Sequence, residues 1–367
     1  MSAAKPSVRA GVFTGDGKWD VRDLPAPTPP DGGAVLHVEA VGLCGSDLAQ
    51  VHGGIGVPGE VFPVVPGHEI VGRIGAITAE AKAAWRVDEG DRVVVDEIVR
   101  CGTCAACRSG DPDCTSMHVY GYTLGLDRDA GCWGGYAERM ALLPQTNVHR
   151  VPADVPAAEL TMFEPLASAV NWVQRAGVQL GDTVVVEGPG HQGLACLVAA
   201  RAGGAAKVIV TGTSADALRF EAARALGADA TIDVETEDPI PRVAELTDGR
   251  MADVVMDIAA VATATIPLAV QLVRTSGTVL LAGLKHFAPV EGLITDLIVL
   301  RKLTLVGGAG FTPQSMRIAV GLLTNDAFDR SALIGDTVTL DTLDHGMALL
   351  ARAVEGKDSV HVSLVHA

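Results

Sequence analysis

Aromatic side chains are scarce in this chain of 367 residues. Phe, Trp and Tyr together make up 4% of the sequence, whereas hydrophobic residues as a class make up 48%. The core must therefore be built mainly from Ala, Val, Leu and Ile, and a charged fraction of 20% fits a globular soluble protein. The chain is too long for one ordinary core, so we expect two domains.

Basic residues are also in deficit. The chain has 28 Lys and Arg against 44 Asp and Glu, which gives a formal net charge of −16 at pH 7 with His neutral. This balance argues against a nucleic-acid partner and against an anionic membrane surface, and solubility alone explains it.

Long uninterrupted apolar runs are missing as well. The longest apolar stretch, 258–273, contains Thr, Pro and Gln and follows Asp257, so we interpret it as buried core and not as a membrane span. The N-terminal residues MSAAKP lack the apolar core of a secretory signal. We therefore expect a cytoplasmic protein with no membrane partner.

The seven cysteines are an odd number and follow no signal sequence, which favours a metal site over a disulfide framework. Four of them lie in CGTCAACRSGDPDC, residues 101–114, with x2, x2 and x6 spacing. Such a loop can wrap a tetrahedral ion with four thiolates. An iron–sulfur cluster also uses four cysteines, but the Cys-Pro signature of ferredoxins is missing. We predict structural zinc at Cys101, Cys104, Cys107 and Cys114.

A second group of reactive side chains lies between residues 44 and 69. CGSDLAQVH runs from Cys44 to His52, and PGHE ends at Glu69. Thiolate and imidazole together select Zn²⁺, and a carboxylate can fill a further position. Taken alone, Cys44 and His68 could equally be a buried thiol and a histidine in a turn.

The first third of the chain is predicted to be mostly β. Prolines at 25, 27, 29 and 30 exclude a helix there, and VLHVEAV at 35–41 alternates as a half-buried strand does. All three tyrosines fall between residues 115 and 150, where they form either a substrate-facing wall or a packed β region. Cys132 is interpreted as a small packed residue.

From residue 157 the pattern changes to helical spacing, and then strands and helices alternate. The strand TVVVE at 183–187 runs into GPGHQG and an Ala-rich helix, and a second strand follows at 207–211. The glycines permit a tight turn and a close approach of pyrophosphate to the backbone, and the helix N-terminus supplies N–H groups. We predict a dinucleotide site on a parallel sheet.

The domain boundaries follow from these patterns. Residues 161–307 are predicted to form a dinucleotide-binding Rossmann domain. Residues 1–160 and 308–367 are predicted to form a catalytic zinc-binding domain, to which a helix from residue 315 and a closing strand at 360–365 return.

The motifs CGSD at 44–47, GHE at 67–69, the four-cysteine loop, EPL at 164–166 and GPGHQG at 188–193 resemble the zinc-containing medium-chain alcohol dehydrogenase family. The resemblance is to its sorbitol, threonine and secondary-alcohol branch, and it covers nearly the whole chain. It implies an α/β fold with a Rossmann doubly wound parallel sheet plus a mostly β, GroES-like catalytic domain. It implies hydride transfer between a secondary, polyol or cyclic alcohol, or its ketone, and a nicotinamide cofactor, in a homodimer or homotetramer.

The resemblance also implies roles for single residues and two zinc ions per chain. Cys44, His68 and Glu164 match ligands of a catalytic zinc, and Glu69 matches a neighbouring acid that can exchange onto the metal. Ser46 matches the hydroxyl that receives the substrate proton, His52 the relay histidine, and Asp47 the acid beneath the zinc. The implied cofactor-binding residues are Gly188, Gly190, His191, Gly193, Gly212, Thr213, Asp216, Arg219, Gly283 and Leu284.

The cofactor preference depends on the end of the second strand. An acid there usually binds the ribose 2′-hydroxyl of NAD, but the segment reads TGTS at 211–214. No Lys or Arg lies in 211–218 to bind the 2′-phosphate of NADP, and Asp216 follows two or three positions late. Arg219 discriminates poorly between the cofactors. We expect NAD, with NADP as the alternative.

Two other functions remain open from the sequence. A zinc-free quinone or enoyl reductase could use the same scaffold, but it would leave Cys44, His68 and the cysteine loop without purpose. A non-catalytic, nucleotide-sensing relative is also compatible with the fold.

Overall fold

The structure, a computed structural model, describes residues 6–54, 57–109, 114–129 and 131–366. Of the N-terminal residues MSAAKP, for which the sequence predicts no signal core, 1–5 lie outside the described range. The chain forms two units, Met1–Phe163 together with Ile334–Ala367, and Glu164–Leu333.

Strands dominate the first unit as far as residue 163, as predicted. They are β1 (Ser7–Phe13), β2 (Trp19–Pro25), β3 (Ala34–Leu43), β4 (Glu69–Ile77), β5 (Arg92–Val95), β6 (Ile98–Val99), β7 (His118–Val119), β8 (Arg139–Leu142) and β9 (Val148–Arg150). The helices are short: α1 (Gly45–Val51), α2 (Ala79–Trp85), α3 (Ala105–Ser109) and α4 (Ala157–Leu160).

Helices and strands alternate in the second unit. The helices are α5 (Phe163–Ala176), α6 (His191–Ala202), α7 (Ala217–Ala225), α8 (Pro239–Leu246), α9 (Thr265–Leu272), α10 (Thr295–Leu300) and α11 (Pro313–Thr324). The strands are β10 (Thr183–Glu187), β11 (Lys207–Gly212), β12 (Ala230–Asp233), β13 (Ala252–Asp257), β14 (Val273–Leu281) and β15 (Thr304–Gly307).

The chain then returns to the first unit with β16 (Thr337–Val338), α12 (Leu343–Leu350) and β17 (Val362–Val365). β17 pairs antiparallel with β3, which confirms that the closing strand rejoins the first sheet. The sequence-based boundary at 307/308 differs from the boundary at 333/334. Residues between them pack within the second unit, where the Asn171 amide donates to the Gly310 carbonyl over 2.9 Å.

The main sheet of the first unit has the order β16-β17-β3-β4-β5-β9, and β8 also pairs with β3. Most of its buried core is aliphatic, as the composition predicts, with side chains such as Leu36 and Ile70 fully buried, and the core also contains the aromatic rings of Phe13, Trp133 and Tyr136. Cys132 belongs to this core with no exposed surface. The helix α1 leaves the end of β3, and β4 begins at Glu69, so the two reactive segments start from neighbouring strands.

The sheet of the second unit is parallel, with the order β12-β11-β10-β13-β14-β15. In chain order this is 3-2-1-4-5-6, the strand order of the dinucleotide-binding Rossmann fold. β-branched residues such as Val185, Ile209 and Val255 fill its buried faces, as expected for parallel strands covered on both sides. Ligands bind such sheets where the order reverses, here at the carboxyl ends of β10, β11 and β13.

Within the described part of the chain, none of the helices has the length and apolar character needed to cross a bilayer.

Candidate active site and metal centres

Cys44, His68 and Glu69 converge in the first unit. Cys44 is the N-cap residue of α1, His68 directly precedes β4, and Glu69 is the first residue of β4. One potential ligand atom from each of the three side chains lies within 4.8 Å of the other two. His68 is 6% exposed and Glu69 is fully buried. The structure therefore brings together the two reactive segments that the sequence singled out.

The charges around His68 are those of a cation site. Burial alone would lower the pKa of His68, but the Cys44 thiol and the carboxylates of Asp47 and Glu69 together raise that pKa well above its ordinary value. Burial also raises the pKa values of Cys44 and Asp47. A metal ion would replace the shared protons and offset the cost of burying these groups.

Asp47 supports the cluster from beneath. One of its oxygens, Oδ2, accepts hydrogen bonds from the Cys44 backbone N–H at 2.9 Å and from the Tyr136 hydroxyl at 3.1 Å. The other, Oδ1, lies 3.8 Å from His68 Nδ1 and has no hydrogen-bond partner among the described residues. Asp47 thus caps α1 and places negative charge behind His68.

Glu69 has a partner that the sequence did not reveal. His361, which precedes β17, lies with Nε2 3.3 Å from Glu69 Oε2 and 3.1 Å from the Thr161 hydroxyl. Both Glu69 and His361 are almost fully buried. They are 292 residues apart in the chain, counted from their numbers, so only the pairing of β17 with β3 brings them together.

Ser46 also has an unpredicted partner, Tyr122. The Tyr122 hydroxyl lies 2.8 Å from Ser46 Oγ and 3.2 Å from His68 Nδ1, and its ring packs against the His68 ring at 5.3 Å between centroids. Burial, followed by the charges of Asp47 and Cys44, raises the pKa of Tyr122 well above its ordinary value. Tyr122 is therefore a neutral phenol. Two of the three tyrosines reach the site, Tyr122 through Ser46 and His68 and Tyr136 through Asp47, whereas the Tyr120 hydroxyl contacts Thr146 in the core.

His52 and Ser46 are not in contact. They lie six residues apart at opposite ends of α1, a separation of about 9 Å along the helix axis. His52 is exposed at the end of the helix, so a proton path between the two needs an intermediate carrier.

Glu164 belongs to the first turn of α5 in the second unit. It is half-buried, and its Oε1 accepts a hydrogen bond from the Ser168 hydroxyl at 2.9 Å. The carboxylate is thus partnered within its own helix, and its role as a metal ligand remains a prediction.

The four cysteines of the loop form a second cluster. Their sulfurs lie within 4.8 Å of one another, and the pairs Cys101–Cys107 and Cys104–Cys114 are separated by 3.9 Å. A tetrahedral Zn²⁺ with Zn–S bonds of about 2.3 Å requires sulfurs about 3.8 Å apart. Hydrogen bonds led by the Thr103 N–H lower the pKa of Cys101 to about 6, which favours its thiolate. The loop residues 110–113 lie outside the described range.

The glycine motif follows β10, as predicted. Gly190 is the N-cap residue of α6, whose first residue is His191. A Cβ on Gly193 would lie 1.9 Å from the Gly188 carbonyl oxygen, so only glycine permits the helix to pack this closely on the strand. Beyond the ends of β13 and β14, a Cβ on Gly283 would lie 2.4 Å from the Ala259 carbonyl oxygen, and Leu284 is 69% exposed.

The turn after β11 is surrounded by carboxylates. Asp216 is buried, and its Oδ2 accepts from the Thr213 N–H at 2.8 Å and from the Thr213 hydroxyl at 2.9 Å. Ser214 donates from its hydroxyl to Asp233 at 2.6 Å and from its N–H to Glu235 at 3.0 Å. Asp233 is the last residue of β12 and Glu235 follows it, and neither was predicted from the sequence, where only the end of β11 suggested a ribose site.

Arg219 lies beside the glycine turn. Its Nη1 is 3.9 Å from the position that a Cβ on Gly190 would occupy. The guanidinium therefore lies near the helix N-terminus that the sequence assigns to pyrophosphate.

Buried ionisable residues lie beside the glycine turn that follows β10. Glu187, the last residue of β10, is 1% exposed, and neither of its carboxylate oxygens has a hydrogen-bond partner among the described residues. Burial raises the pKa of Glu187 well above its ordinary value. Lys285 pairs with Asp257 over 2.9 Å nearby. Glu187 and Asp257 are the last residues of β10 and β13, and Lys285 lies shortly after β14. No motif in the sequence indicated these three residues.

Two regions of the chain match known protein families. The family described as alcohol dehydrogenase GroES-like domain matches residues 30–153, and the family described as zinc-binding dehydrogenase matches residues 193–325. A Mycobacterium tuberculosis H37Rv protein named as an alcohol dehydrogenase is 37% identical over 361 residues, which cover 96% of this chain and 97% of that protein. An erythritol/L-threitol dehydrogenase of Mycolicibacterium smegmatis is 31% identical over 98% of each chain.

Solved structures are similar over the whole chain. A zinc-binding dehydrogenase from Sinorhizobium meliloti 1021, bound to NADP, has a TM-score of 0.85 at 26% identity and covers 99% of this chain and 100% of its own. The alcohol dehydrogenase rspB from Escherichia coli CFT073, complexed with NADH, has a TM-score of 0.82 at 25% identity, with 98% and 99% covered. The predicted GroES-like and Rossmann fold class is confirmed.

Proposed function

The chain belongs to the zinc-containing medium-chain alcohol dehydrogenase family, and we propose that it transfers hydride between a secondary alcohol or polyol and NAD. It is an enzyme of the NAD(P)-dependent zinc alcohol dehydrogenase type. The observation that carries the proposal is the convergence of Cys44, His68 and Glu69, with Ser46 one hydrogen-bonded bridge away from His68.

Cys44 and His68 are proposed to hold the catalytic zinc. A soft thiolate and an imidazole, backed by the buried carboxylates of Asp47 and Glu69, fit a Zn²⁺ ion. Glu164 is proposed as the third ligand because EPL at 164–166 matches the family position, and Glu69 as an acid that can exchange onto the metal. When bound, zinc supplies a Lewis acid that lowers the pKa of an alcohol hydroxyl.

The four-cysteine cluster is proposed to hold a second, structural zinc. The sulfur separations of 3.9 Å fit a tetrahedral ion, and four protein ligands leave no position for substrate. Its contribution is to hold the loop's shape, because the unfolded chain offers no preformed site.

Ser46 is proposed to take the proton of the substrate hydroxyl. Its hydroxyl is half-buried at the start of α1, and the exposed His52 at the end of the helix is proposed to pass the proton to solvent. Because the two are about 9 Å apart along the helix, a water or another hydroxyl must carry the proton between them.

NAD is proposed as the preferred cofactor. The carboxylates of Asp216, Asp233 and Glu235 surround the turn after β11, where a ribose 2′-phosphate would meet repulsion from like charges. Arg219 lies near Gly190, and its guanidinium is proposed to bind the pyrophosphate. A bound nicotinamide would accept the hydride.

The substrate class is proposed from the relatives. Those of 31% and 32% identity include an erythritol/L-threitol dehydrogenase and a sorbitol dehydrogenase. A secondary alcohol within a short polyol is therefore the proposed substrate.

Assembly as a homodimer is also proposed. β15 is the last strand of its sheet, and within the described residues it pairs only with β14. Large apolar side chains on and near this edge are exposed: Phe287 (94%), Ile294 (58%), Val299 (72%), Leu300 (76%) and Leu305 (39%). An open strand edge beside apolar surface fits a second copy of the chain around a two-fold axis.

A turnover screen tests the proposal. Purified protein with its zinc content measured is assayed with C4–C6 polyols and simple secondary alcohols, using NAD and NADP. We expect NAD-dependent oxidation of at least one polyol. His68→Ala should abolish turnover and lose one zinc per chain while the protein still folds. Full activity in metal-depleted His68→Ala protein would exclude zinc catalysis.

A further inference from the structure

Tyr122 is joined by hydrogen bonds to both Ser46 and His68. Its hydroxyl lies 2.8 Å from Ser46 Oγ and 3.2 Å from His68 Nδ1. Asp47 Oδ1, at 3.8 Å from His68 Nδ1, is beyond hydrogen-bonding distance. The phenol is therefore the group that engages this ring nitrogen.

The backbone around Tyr122 fixes the phenol in place. Gln50 of α1 donates from its side-chain amide to the Gly121 carbonyl at 2.7 Å, and the Val61 N–H donates to the Tyr122 carbonyl at 3.0 Å. Gly121 has a φ of +82°, and a Cβ there would lie 3.0 Å from the backbone of Gly67. The loop is thus pressed against the same helix and turn that carry Ser46 and His68.

The direction of the hydrogen bonds follows from the chemistry of a ligating histidine. With Nδ1 occupied by Tyr122, the other nitrogen, Nε2, is left for the metal, and Nδ1 must then carry a hydrogen. That N–H donates to the Tyr122 oxygen. A phenol has one hydrogen, and it is then directed to Ser46 Oγ. Ser46 accepts this bond, which leaves its own hydrogen free to be donated elsewhere.

We propose that Tyr122 is a positioning residue for proton transfer, which acts by donating a hydrogen bond to Ser46 Oγ. This inference rests on the proposed function. During alcohol oxidation the substrate O–H bond breaks and its proton forms a new bond to Ser46 Oγ, while the Ser46 hydrogen leaves for the next acceptor. Ser46 ends with the proton count with which it began. Tyr122 keeps its own hydrogen throughout and stabilises partial negative charge on Ser46 Oγ when the two transfers are not simultaneous.

Tyr122→Phe tests the inference because it removes the hydroxyl and keeps the ring. We expect kcat to fall about tenfold to hundredfold, as for the loss of a hydrogen bond to a charged group. KM should change by less than about threefold, because the hydroxyl acts through Ser46 and not through substrate binding. The kcat measured in D₂O should fall further relative to water than it does for the wild type, since proton transfer becomes more strongly limiting.

Tyr120→Phe is the matched control. Tyr120 is a buried tyrosine two positions away whose hydroxyl contacts Thr146 Oγ1 and the Leu143 N–H, each at 2.6 Å. The same chemical change there should lower stability and leave kcat and the isotope effect unchanged.

A double-mutant cycle with Ser46→Ala separates action through Ser46 from any other action. On the Ser46→Ala background, Tyr122→Phe should lower kcat by less than about twofold further, because coupled residues are not additive. Zinc content after mild chelation should equal that of the wild type. Three outcomes would each overturn the inference. They are an undiminished kcat, an equal loss of kcat on both backgrounds, and a loss of zinc, which would show that the effect acts through His68. If the wild type oxidises no alcohol, the proposed function itself fails.

Discussion

Gly42 lies directly against the buried pair of Glu69 and His361. A Cβ at position 42 would fall 1.7 Å from Glu69 Oε2 and 2.7 Å from His361 Nε2, so no side chain fits without moving both. Gly42→Ala should therefore destabilise the protein by about 1–3 kcal/mol, the usual cost of overpacking. It should also speed the loss of one zinc under mild chelation, because Glu69 is displaced. Urea unfolding and zinc analysis measure the two effects.

Gly45→Ala is the control for that change. A Cβ on Gly45, the first residue of α1, would meet nothing within 4 Å. Alanine there should be neutral or stabilise by up to about 1 kcal/mol. Equal stabilities of the two variants would show that the space at Gly42 does not matter.

The residues of the site divide by how far their partners lie along the chain. Cys44, His68 and the four-cysteine loop were predictable because short motifs with special spacing carry them. Tyr122 was not, because its contact with Ser46 spans 76 residues and depends on how the loop packs. The Glu69–His361 contact likewise depends on the return of β17 to the first sheet.

The four-cysteine loop is the element that we propose to be held in shape by a structural zinc. Cys104→Ala removes one of four sulfurs that lie within 4.8 Å of one another, so the loop should lose its zinc and the first unit should be destabilised. We expect a loss of about 2 kcal/mol or more, and thus a Tm lower by about 4–8 °C. Calorimetry and zinc analysis, falling from two ions per chain to one, provide the check.

Cys132→Ala controls for the removal of a sulfur. Cys132 is fully buried in the core and lies outside both clusters, so the variant should lose some stability and keep both zinc ions. Two zinc ions in Cys104→Ala protein would contradict the structural role.

The helical spacing from residue 157 corresponds to two helices, α4 and α5. Pro165 has no N–H and is tolerated only in the first turn of a helix, so α5 begins at Phe163. Thr161, between the helices, donates to the Ala158 carbonyl at 2.8 Å and contacts Ser363 at 3.2 Å. The helical periodicity was correct, but the position of the break between α4 and α5 depends on Pro165 and on the tertiary contacts of Thr161.

The strand end after β12 supplies the test of cofactor preference. Asp233→Asn and Glu235→Gln together remove two charges beside Ser214 with little change of shape. The ratio of kcat/KM for NAD over NADP should fall about tenfold to hundredfold, because one charge-assisted hydrogen bond contributes about 1.5–3 kcal/mol. Dissociation constants for NADH and NADPH, measured by fluorescence, should shift in the same direction.

Two other variants keep that test specific. Asp238→Asn, in an exposed acid that caps α8, should change neither ratio nor affinity. Arg219→Ala should weaken both cofactors alike, since the guanidinium faces Gly190. A wild-type preference for NADP that Arg219→Ala abolishes would reverse the assignment and give Arg219 the 2′-phosphate.

At the level of the whole molecule, alternation of strands and helices was enough to predict a parallel sheet and two domains. The strand order 3-2-1-4-5-6 places β12 next to β11. The end of β12 can therefore supply the acidic residues that the end of β11 lacks. A sequence read one strand at a time does not contain that adjacency, so the contacts of Asp233 and Glu235 with Ser214 could not be found without the sheet.

Leu300→Glu tests whether two copies associate through the β15 edge. Leu300 is 76% exposed at the end of α10, within the apolar group that includes Phe287 and Val299. A charge at this position would have to be buried without a partner if two copies pair here, so the dimer should weaken or dissociate. Sedimentation velocity at micromolar protein should show a wild-type dimer and a largely monomeric variant.

Leu180→Glu is the matched control for that assembly test. Leu180 is even more exposed, at 89%, and precedes β10, away from the β15 strand. A glutamate there should leave the sedimentation coefficient unchanged, because an isolated surface leucine needs no partner. If both variants sediment as the wild type does, the β15 edge is not the contact between copies, and its apolar side chains are covered by something else. If Leu180→Glu alone dissociates the protein, the two-fold contact lies on the surface around the start of β10.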